Sequence, residues 1–426
     1  MTNKLLDDCF GHDKKRLRHG EALAILKQRV APVASVEKVP LARAAGRILV
    51  EAAVAPRPVP AHTNAAVDGY SFAAADYEAG TGTELPVHGR AAAGHRLQRC
   101  PAPGTAARIF TGAVIPQGHD TVVLQEDVEA REVAGRAVVS IPAGIKRGAN
   151  TRRAGEDVEA GEMLLRPGAV LRPQELAALA SIGTAEVPCY ARLNVAIMST
   201  GDEIVRPGAA LAEGQVYDAN APMLAALIAS AGALPADLGV LPDDPVEIRR
   251  RLAEAAQRFD AVILSGGASR GEEDHVVAAL DALGKRHLWQ LAIKPGRPMS
   301  FGQIGDCVAL GLPGNPVAVF VCFLLYVWPL LRRMGGAEWP EPKRYRLPAL
   351  FAFPGRKLGR REFWRGMLKQ TPHGLGVDKF ARDGSGLISG LRAADGLIDI
   401  PEDVAGVQPG ELVMFIPFAE YGLVGS

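Results

Sequence analysis

The chain has 426 residues, of which 48% are hydrophobic and 22% charged. These values are typical of a folded protein of about three domains and exclude a wholly disordered chain. The formal net charge of +1 gives no overall field that would attract nucleic acid or an anionic membrane. The five cysteines form no Cys-x-x-Cys pair, which disfavours a disulfide framework and a thiolate zinc site and suits a reducing compartment.

The N-terminal part of the chain changes from a helical to a β-strand sequence pattern. Apolar residues recur at helical spacing over 14–30, which predicts an amphipathic helix. Short β-prone runs separated by Gly and Pro over 51–150 predict a β-rich arm domain. We assign 1–50 and 151–190 together to a helical and mixed linker domain, which ends in a linker at 188–190.

The next segment, 191–337, alternates compact apolar strands with helices. Strand, helix, strand at this spacing predicts a doubly wound, largely parallel α/β sheet. The predicted strands are 193–199, 234–240, 261–264 and 307–310, and the predicted helices are 222–231, 245–257 and 274–283.

The most apolar run of the sequence is 317–331. It is shorter than the roughly 20 residues that cross a membrane, and Pro329 interrupts its end, so we expect a buried helix. Because the N-terminus is polar and resembles no secretory signal, we expect a cytoplasmic protein without a membrane partner. Short strands over 338–426 predict a small C-terminal β-barrel, which completes a multidomain α/β plus β fold.

Glycine-containing polar turns follow three of the predicted strands. Parallel strands bind ligands beyond their carboxyl ends, so we expect these turns to outline one site. The turns are Ser199-Thr-Gly-Asp-Glu203, the segment 265–274, and Leu312-Pro-Gly-Asn-Pro316.

The double glycine at 266 and 267 suits a phosphate. Gly266 and Gly267 carry no Cβ, so backbone N–H groups can approach an anion, and the helix predicted from Asp274 adds a positive dipole end. An ordinary tight turn is the alternative. The segment lacks the lysine of a Walker loop, and the chain has no Gly-x-Gly-x-x-Gly, which disfavours a dinucleotide site.

Carboxylates gather at the same predicted edge. Beside a bound phosphate, one or two of them would hold Mg²⁺ together with water. Taken singly, each could instead cap a helix, as Asp243 or Asp244 would before Pro245. The acidic residues are Asp202, Glu203, Asp243, Asp244, Glu272, Glu273 and Asp274.

A cationic turn, Lys294-Pro-Gly-Arg-Pro298, complements these acids. Two positive charges on a proline-stiffened turn can clamp an oxyanion, although a solvated loop is the alternative. The histidines show no metalloprotease spacing and no Gly-x-Ser-x-Gly elbow occurs, which disfavours zinc and serine hydrolases.

Nine motifs, in order along almost the whole chain, together resemble the MoeA family of molybdopterin molybdenumtransferases, which includes the gephyrin E domain. The motifs are Val67-Asp-Gly-Tyr70, Phe110-Thr-Gly-Ala113, Arg153-Ala-Gly-Glu-Asp157, Ser199-Thr-Gly-Asp-Glu203, Tyr217-Asp-Ala-Asn220, Asp243-Asp-Pro245, Ser265-Gly-Gly267 with Gly271-Glu-Glu-Asp274, Ile293-Lys-Pro-Gly296 and Leu312-Pro-Gly-Asn-Pro316.

This resemblance implies a four-part, L-shaped subunit that forms a homodimer with a shared active site. It implies the conversion of adenylyl-molybdopterin and molybdate to molybdenum cofactor and AMP, with Mg²⁺ as the metal. It also implies transient contacts with the molybdopterin adenylyltransferase and with the enzymes that accept the cofactor.

The resemblance further implies roles for individual residues. Asp243, Asp274 and Glu203 match functional acids, which we expect to hold Mg²⁺ against the pyrophosphate, and Lys294 would bind phosphate or molybdate. The remaining matches are Arg365 and Ser385 beside molybdate, Asp68, Thr111 and Asp157 from the arm of the other subunit, and Gly266, Gly267, Pro313 and Asn315 around the substrate.

One position departs from the family pattern. Gln290 stands where several members carry a second lysine, which removes one cation and predicts weaker molybdate affinity. Arg297 or Arg270 could compensate.

Two other functions stay open. A Mg²⁺-dependent phosphoesterase of the same fold would hydrolyse adenylylated pterin without inserting metal. A scaffold of the same fold would bind molybdopterin without inserting metal. The dependence of AMP release on molybdate separates these possibilities.

Overall fold

The computed structural model of the chain describes residues 16–266 and 275–423, and for residues 286–290 it describes the backbone alone. Six residues considered above lie outside the described residues, as does the side chain of Gln290: Gly267, Arg270, Gly271, Glu272, Glu273 and Asp274.

The described chain begins with a helix and two short strands. These are α1 (His19–Arg29), β1 (Val36–Pro40) and β2 (Ala53–Val54). Helix α1 turns Ala22 and Leu26 into the large apolar core beneath the central sheet. Its apolar face therefore anchors the N-terminal segment to that sheet.

The arm follows, beginning with a short strand, β3 (Asn64–Ala65), that lies outside its main sheet. The main sheet has six strands: β4 (Gly69–Phe72), β5 (Thr83–Ala91), β6 (Ala106–Ile109), β7 (Thr121–Leu124), β8 (Glu129–Val133) and β9 (Arg136–Ile141). The sheet order is β7-β4-β6-β5-β9-β8. Only the β5–β6 pair is parallel among its described neighbours.

The chain then returns to its first strands. The elements are β10 (Thr151–Arg152), β11 (Met163–Leu165), α2 (Pro173–Ser181) and β12 (Glu186–Tyr190). β12 pairs with β1, so the predicted linker at 188–190 is wrong. Val187 and Cys189 are buried in a small core there, and this alternating burial outweighs Pro188, which resembled a break in the pattern.

The central domain contains one six-stranded mixed sheet. Its elements are β13 (Asn194–Thr200), β14 (Ile204–Val205), β15 (Val216–Tyr217), α3 (Asn220–Ser230), β16 (Leu234–Leu241), α4 (Pro245–Ala256), β17 (Ala261–Ser265), α5 (His275–Leu283), β18 (Lys285–Gln290), β19 (Ile293–Lys294), β20 (Pro298–Ile304) and β21 (Cys307–Leu312). The order is β16-β13-β17-β21-β20-β18. The first four strands are parallel and the last two antiparallel, so the predicted largely parallel sheet is confirmed.

A continuous buried helix follows the last parallel strand. It consists of α6 (Pro316–Cys322), a π-helical turn at Phe323–Val327, and α7 (Trp328–Met334). By length and composition it could cross a membrane, but 89% of its most apolar window is buried inside the structure. The prediction of a buried core helix is confirmed.

Side chains of β13 alternate between two cores. Val195 and Ile197 pack with α3 and the 316–334 helix, whereas Ala196 and Met198 pack with α4 and α5. Helices therefore cover both faces of the sheet, which is the doubly wound arrangement.

The C-terminal domain is a curled sheet. Its elements are β22 (Tyr345–Pro348), β23 (Arg361–Thr371), β24 (Gly374–Lys379), α8 (Ile388–Ala393), β25 (Gly396–Ile400) and β26 (Leu412–Pro417). A bridge between Ala349 and Val377 brings the two ends of the sheet together. β19 of the central domain extends this sheet by pairing with β23. The multidomain α/β plus β fold class is confirmed.

Candidate active site

A cavity of about 450 Å³ lies between the carboxyl edge of the central sheet and the C-terminal domain. The two domains line it together, because β19 joins the C-terminal sheet beside β23. Six residues predicted from the sequence line this cavity: Gly266, Lys294, Pro313, Asn315, Arg365 and Ser385.

Gly266 allows two strand ends to approach closely. Its φ is +115°, and a Cβ at this position would lie 2.7 Å from Thr200 Oγ1 and 2.8 Å from Thr200 O. The N–H of Gly266 donates to the carbonyl of Leu312 at 3.1 Å. Gly266 therefore leaves the backbone at the cavity without a side chain in the way, but its N–H already donates to a neighbouring strand.

Asn220, which the sequence did not single out as a site residue, ties the turns together. The side chain is 9% exposed, and its Nδ2 donates to Ser265 Oγ at 2.8 Å and to Gly314 O at 2.7 Å. Asp218 accepts both the Asn220 and the Ala221 N–H at 3.0 Å. The Tyr217-Asp-Ala-Asn220 motif thus supports the turn beside Pro313 and Asn315.

Lys294 faces the cavity from β19. Its ammonium is 3.7 Å from Glu362 Oε2, and its side chain is 45% exposed while that of Glu362 is 1% exposed. Glu362 also accepts from Arg360 Nε and from Trp364 Nε1 at 2.9 Å. Arg356 lies 3.7 Å from the same carboxylate. Since three cations share one carboxylate, Lys294 keeps positive charge available to the cavity.

Arg365 is the most buried cation of the cavity, at 7% exposure. Its guanidinium donates to Leu387 O at 3.0 Å and to Arg382 O at 2.6 Å. Throughout the described residues no carboxylate lies within 4 Å of this guanidinium. Burial lowers the pKa of Arg365, although an arginine stays charged at neutral pH. The carboxylate of Asp383 acts on Arg365 from a longer distance and opposes this shift. A desolvated cation with no carboxylate in direct contact favours a bound anion.

Two further charged residues of the lining, Lys379 and Asp383, were missed. Lys379 ends β24 and is paired in register with Gly366, the neighbour of Arg365. No local sequence pattern marks this position, because only the pairing of β24 with β23 brings it to the cavity.

Of the predicted acids, the four that the structure describes lie at the carboxyl edge and are not among the described residues that line the cavity: Asp202, Glu203, Asp243 and Asp244. The N–H of Asp243 donates to Asp202 Oδ1 at 3.1 Å, and the N–H of Asp202 donates to Asp243 Oδ2 at 3.3 Å. Asp244 caps α4 by accepting two backbone N–H groups, so of the two candidate caps Asp244 fills that role. Glu203 folds against Gly201, where a Cβ would lie 2.5 Å from Oε2.

The metal-ligand set therefore stays a prediction. Within 16–266 and 275–423, no group of three or more His, Cys, Asp or Glu side chains could hold a metal ion. Asp274, the third predicted ligand, lies outside the described residues.

The arm residues do not reach this cavity within the chain. Asp68 accepts from Thr111 N–H and from Thr111 Oγ1, both at 2.7 Å, and these bonds lower the pKa of Asp68. Asp157 is exposed. None of the three is among the described residues that line the cavity.

Arg297, a candidate replacement for the second lysine, lines a different and smaller cavity of about 120 Å³ with Arg16 and Arg360. Arg297 is not among the described residues that line the 450 Å³ cavity. Its compensation for Gln290 therefore stays a prediction.

Three family models match successive parts of the chain. They are the MoeA N-terminal region (domain I and II) at 17–183, the probable molybdopterin binding domain at 196–333, and the MoeA C-terminal region (domain IV) at 347–418. The chain belongs to the MoeA family. The predicted family is confirmed.

Curated relatives and a solved structure agree with this assignment. The molybdopterin molybdenumtransferase of Haemophilus influenzae is 37% identical over 380 residues, covering 89% of this chain and 93% of that protein. Molybdopterin molybdenumtransferase 2 of Mycobacterium tuberculosis is 35% identical over 403 residues, covering 92% and 96%. A crystal structure of the MoeA protein of Pyrococcus horikoshii matches with a TM-score of 0.79 and 31% identity, covering 95% of this chain and 99% of that chain.

As a member of the MoeA family, the chain is a transferase with a role in molybdenum cofactor biosynthesis. The predicted enzyme class is therefore confirmed. The functions of single residues in the cavity remain predictions.

Proposed function

We propose that this MoeA family chain converts adenylyl-molybdopterin and molybdate to molybdenum cofactor and AMP, with Mg²⁺ as the required metal. The names of the relatives, molybdopterin molybdenumtransferase, support the substrate class. The observation that carries the proposal is Arg365, a buried cation without a carboxylate partner among the described residues.

Molybdate suits the charge of this cavity. It is a tetrahedral dianion, so the positive charges of Arg365 and Lys294 balance it, and Ser385, which lines the same wall, can donate its hydroxyl. Charge-assisted hydrogen bonds from fixed cations are among the stronger polar contacts in proteins. The two carbonyls that hold the Arg365 guanidinium orient it before substrate binds.

The pyrophosphate of the adenylylated pterin would lie at the adjoining strand ends. Gly266, Pro313 and Asn315 line this part of the cavity, and Asn220 fixes the Gly314 turn beneath them. Substrate and molybdate would then meet between the central and C-terminal domains.

The acids of the carboxyl edge have the chemistry for Mg²⁺. Asp243 and Glu203 offer only oxygen donors, which Mg²⁺ prefers, and one or two carboxylates plus substrate phosphate and water are sufficient. We assign Asp243, Glu203 and Asp274 as its ligands. Bound there, the ion would offset negative charge on the pyrophosphate.

We further propose a homodimer with a shared active site. Asp68 and Thr111 bond to each other on the arm, away from the cavity of their own chain. A second copy would bring this pair and Asp157 to the cavity. Transient contacts with the adenylyltransferase and with acceptor enzymes would deliver the substrate and take the product.

The test is AMP release from purified adenylyl-molybdopterin, with and without molybdate and Mg²⁺. We expect molybdate to stimulate release, and we expect Asp243→Asn to abolish the Mg²⁺-dependent release. Asp306→Asn, which changes an exposed turn residue, is the matched control and should behave as wild type.

Two results would contradict the proposal. Release that is indifferent to molybdate would identify a phosphoesterase. No release, with pterin binding intact, would identify a scaffold.

A further inference from the structure

We propose that Lys379 is an additional oxyanion-binding residue of this cavity and that Asp383 competes with the oxyanion for it. In this arrangement, the affinity for molybdate depends on whether the Lys379 ammonium is paired with Asp383 or with the bound oxyanion. The inference rests on the proposed function, because it takes molybdate as the anion.

Lys379 reaches the cavity from the end of β24. The pairing register sets Lys379 opposite Gly366, so its side chain leaves the sheet on the face of Trp364 and not on that of Arg365. Lys379, Arg365 and Ser385 all line the 450 Å³ cavity. A cation at this point faces the same space as the residues assigned to molybdate.

The Lys379 side chain is held in place along its length. It is 10% exposed, and its ammonium lies 5.5 Å from the ring centres of both Phe353 and Trp364. The ammonium also donates to the carbonyl of Phe380 at 3.3 Å. A lysine fixed by two rings and a carbonyl loses little further freedom when it binds an anion.

Asp383 is the exposed member of the pair. Its carboxylate accepts from Lys379 Nζ, yet its side chain is 54% exposed. An exposed carboxylate exchanges an ion pair for water at small cost. An incoming dianion can therefore displace Asp383 from Lys379 without leaving a buried charge unpaired.

The charge balance of the cavity changes with this exchange. While Asp383 holds Lys379, the lining offers Lys294 and Arg365 to an anion. Once Asp383 turns to solvent, Lys379 becomes a third cation. Three cationic groups match the several oxygens of a tetrahedral oxyanion.

The experiment is a double-mutant cycle on molybdate binding, measured by isothermal titration calorimetry with the full chain. Lys379→Met should weaken binding about tenfold, which corresponds to one charge-assisted hydrogen bond. Asp383→Asn should tighten binding, because it removes the competitor while keeping the size of an exposed side chain. In the Lys379→Met background, Asp383→Asn should tighten binding less, because only the longer-range interaction of Asp383 with Arg365 then remains.

The neighbouring pair provides the control. Lys369 and Asp378 form the same type of ion pair on β23 and β24 but do not line the cavity. Asp378→Asn removes the same charge one residue from Lys379 and should leave the molybdate affinity unchanged.

Several outcomes would overturn the inference. They are an unchanged or weaker affinity in Asp383→Asn, an unchanged affinity in Lys379→Met, or the absence of molybdate binding in wild type. Equal tightening by Asp383→Asn in both backgrounds would also overturn it, because that result indicates a general charge effect without exchange. If Asp378→Asn tightened binding as much as Asp383→Asn, the specific competition would be contradicted.

AMP release by the same proteins separates this inference from the proposed function. If molybdate stimulates release but its affinity does not change in the Lys379 and Asp383 variants, only the role of Lys379 is rejected and the proposed function stands. Release that is indifferent to molybdate would reject the proposed function, whatever the affinities show.

Discussion

Lys294 and Glu362 occupy paired positions where β19 of the central domain joins β23 of the C-terminal domain. Their charged atoms are 3.7 Å apart. The acid that orients this cation therefore belongs to a different domain from the cation itself. This relationship makes Glu362 important for both stability and the cavity.

Glu362→Gln should destabilise the protein by about 3 kcal/mol, because it leaves the buried Arg356 without its carboxylate. The free energy of unfolding, measured in urea, checks this. Glu341→Gln is the control. It disrupts the exposed pair with Lys27, whose side chain is 55% exposed, and should cost at most about 1 kcal/mol. Equal effects of the two substitutions would contradict the account of Glu362.

Gly266→Ala should lower the melting temperature and the rate of AMP release. The new Cβ would meet Thr200 at 2.7 Å, which pushes two strand ends apart beside the cavity. Gly208→Ala isolates the backbone effect, since Gly208 has a φ of +100° with open space around it. Should both variants lose the same stability and activity, the close approach at Gly266 would not matter.

His19 should make stability depend on pH. Burial, with smaller contributions from Arg361 and Arg344, lowers the pKa of His19 to about 3. Below the ordinary pKa of 6.5, the unfolded chain binds a proton that the native protein does not. Stability is therefore fully present above pH 6.5 and falls by about 2 kcal/mol between pH 6.5 and 5.

His19→Asn should remove the part of this dependence that comes from His19, because asparagine does not titrate. Its side-chain oxygen can still accept from Tyr326, whose hydroxyl lies 2.8 Å from His19 Nδ1. Burial also lowers the pKa of His119, so a smaller slope remains. Urea denaturation across pH 5–7.5 is the measurement. His62→Asn, at an exposed histidine, should leave the slope of wild type; a slope unchanged in His19→Asn would show that His19 is not its source.

Subunit mixing tests the shared active site. At a molybdate concentration that just saturates wild type, Asp68→Ala and Arg365→Ala should each show little activity alone. Refolding them together should restore activity, since one cavity of each mixed dimer is then intact. Arg365→Ala mixed with Lys294→Ala is the control and should stay inactive, because both changes lie in the cavity of a single chain. Restoration in neither mixture would contradict the shared active site.

Local pattern predicted the parallel part of the fold well. Strands such as β17 are continuous apolar runs bounded by polar turns, and all of its side chains are buried, so the sequence shows them directly. The antiparallel strands β18 and β20 were not predicted. Their pairing depends on the sheet formed by distant residues, which periodicity does not report.

The candidate site was predicted chiefly through the family resemblance. Arg365 and Ser385 have no distinctive local pattern, yet the structure brings both to the cavity of Lys294. Lys379 was missed because its position depends on strand pairing within the C-terminal sheet. Asp68 and Thr111 were likewise assigned through the resemblance, and they bond to each other across 43 positions of sequence.

The most direct test of the central claim is the molybdate concentration that half-saturates AMP release, compared between wild type and Arg365→Ala. Loss of a buried cation that binds the anion should raise this concentration about 100-fold and leave the affinity for adenylyl-molybdopterin unchanged. Arg392→Ala, at an exposed arginine of α8, should match wild type. Half-saturation at the wild-type concentration in Arg365→Ala would contradict the assignment of this cavity to molybdate.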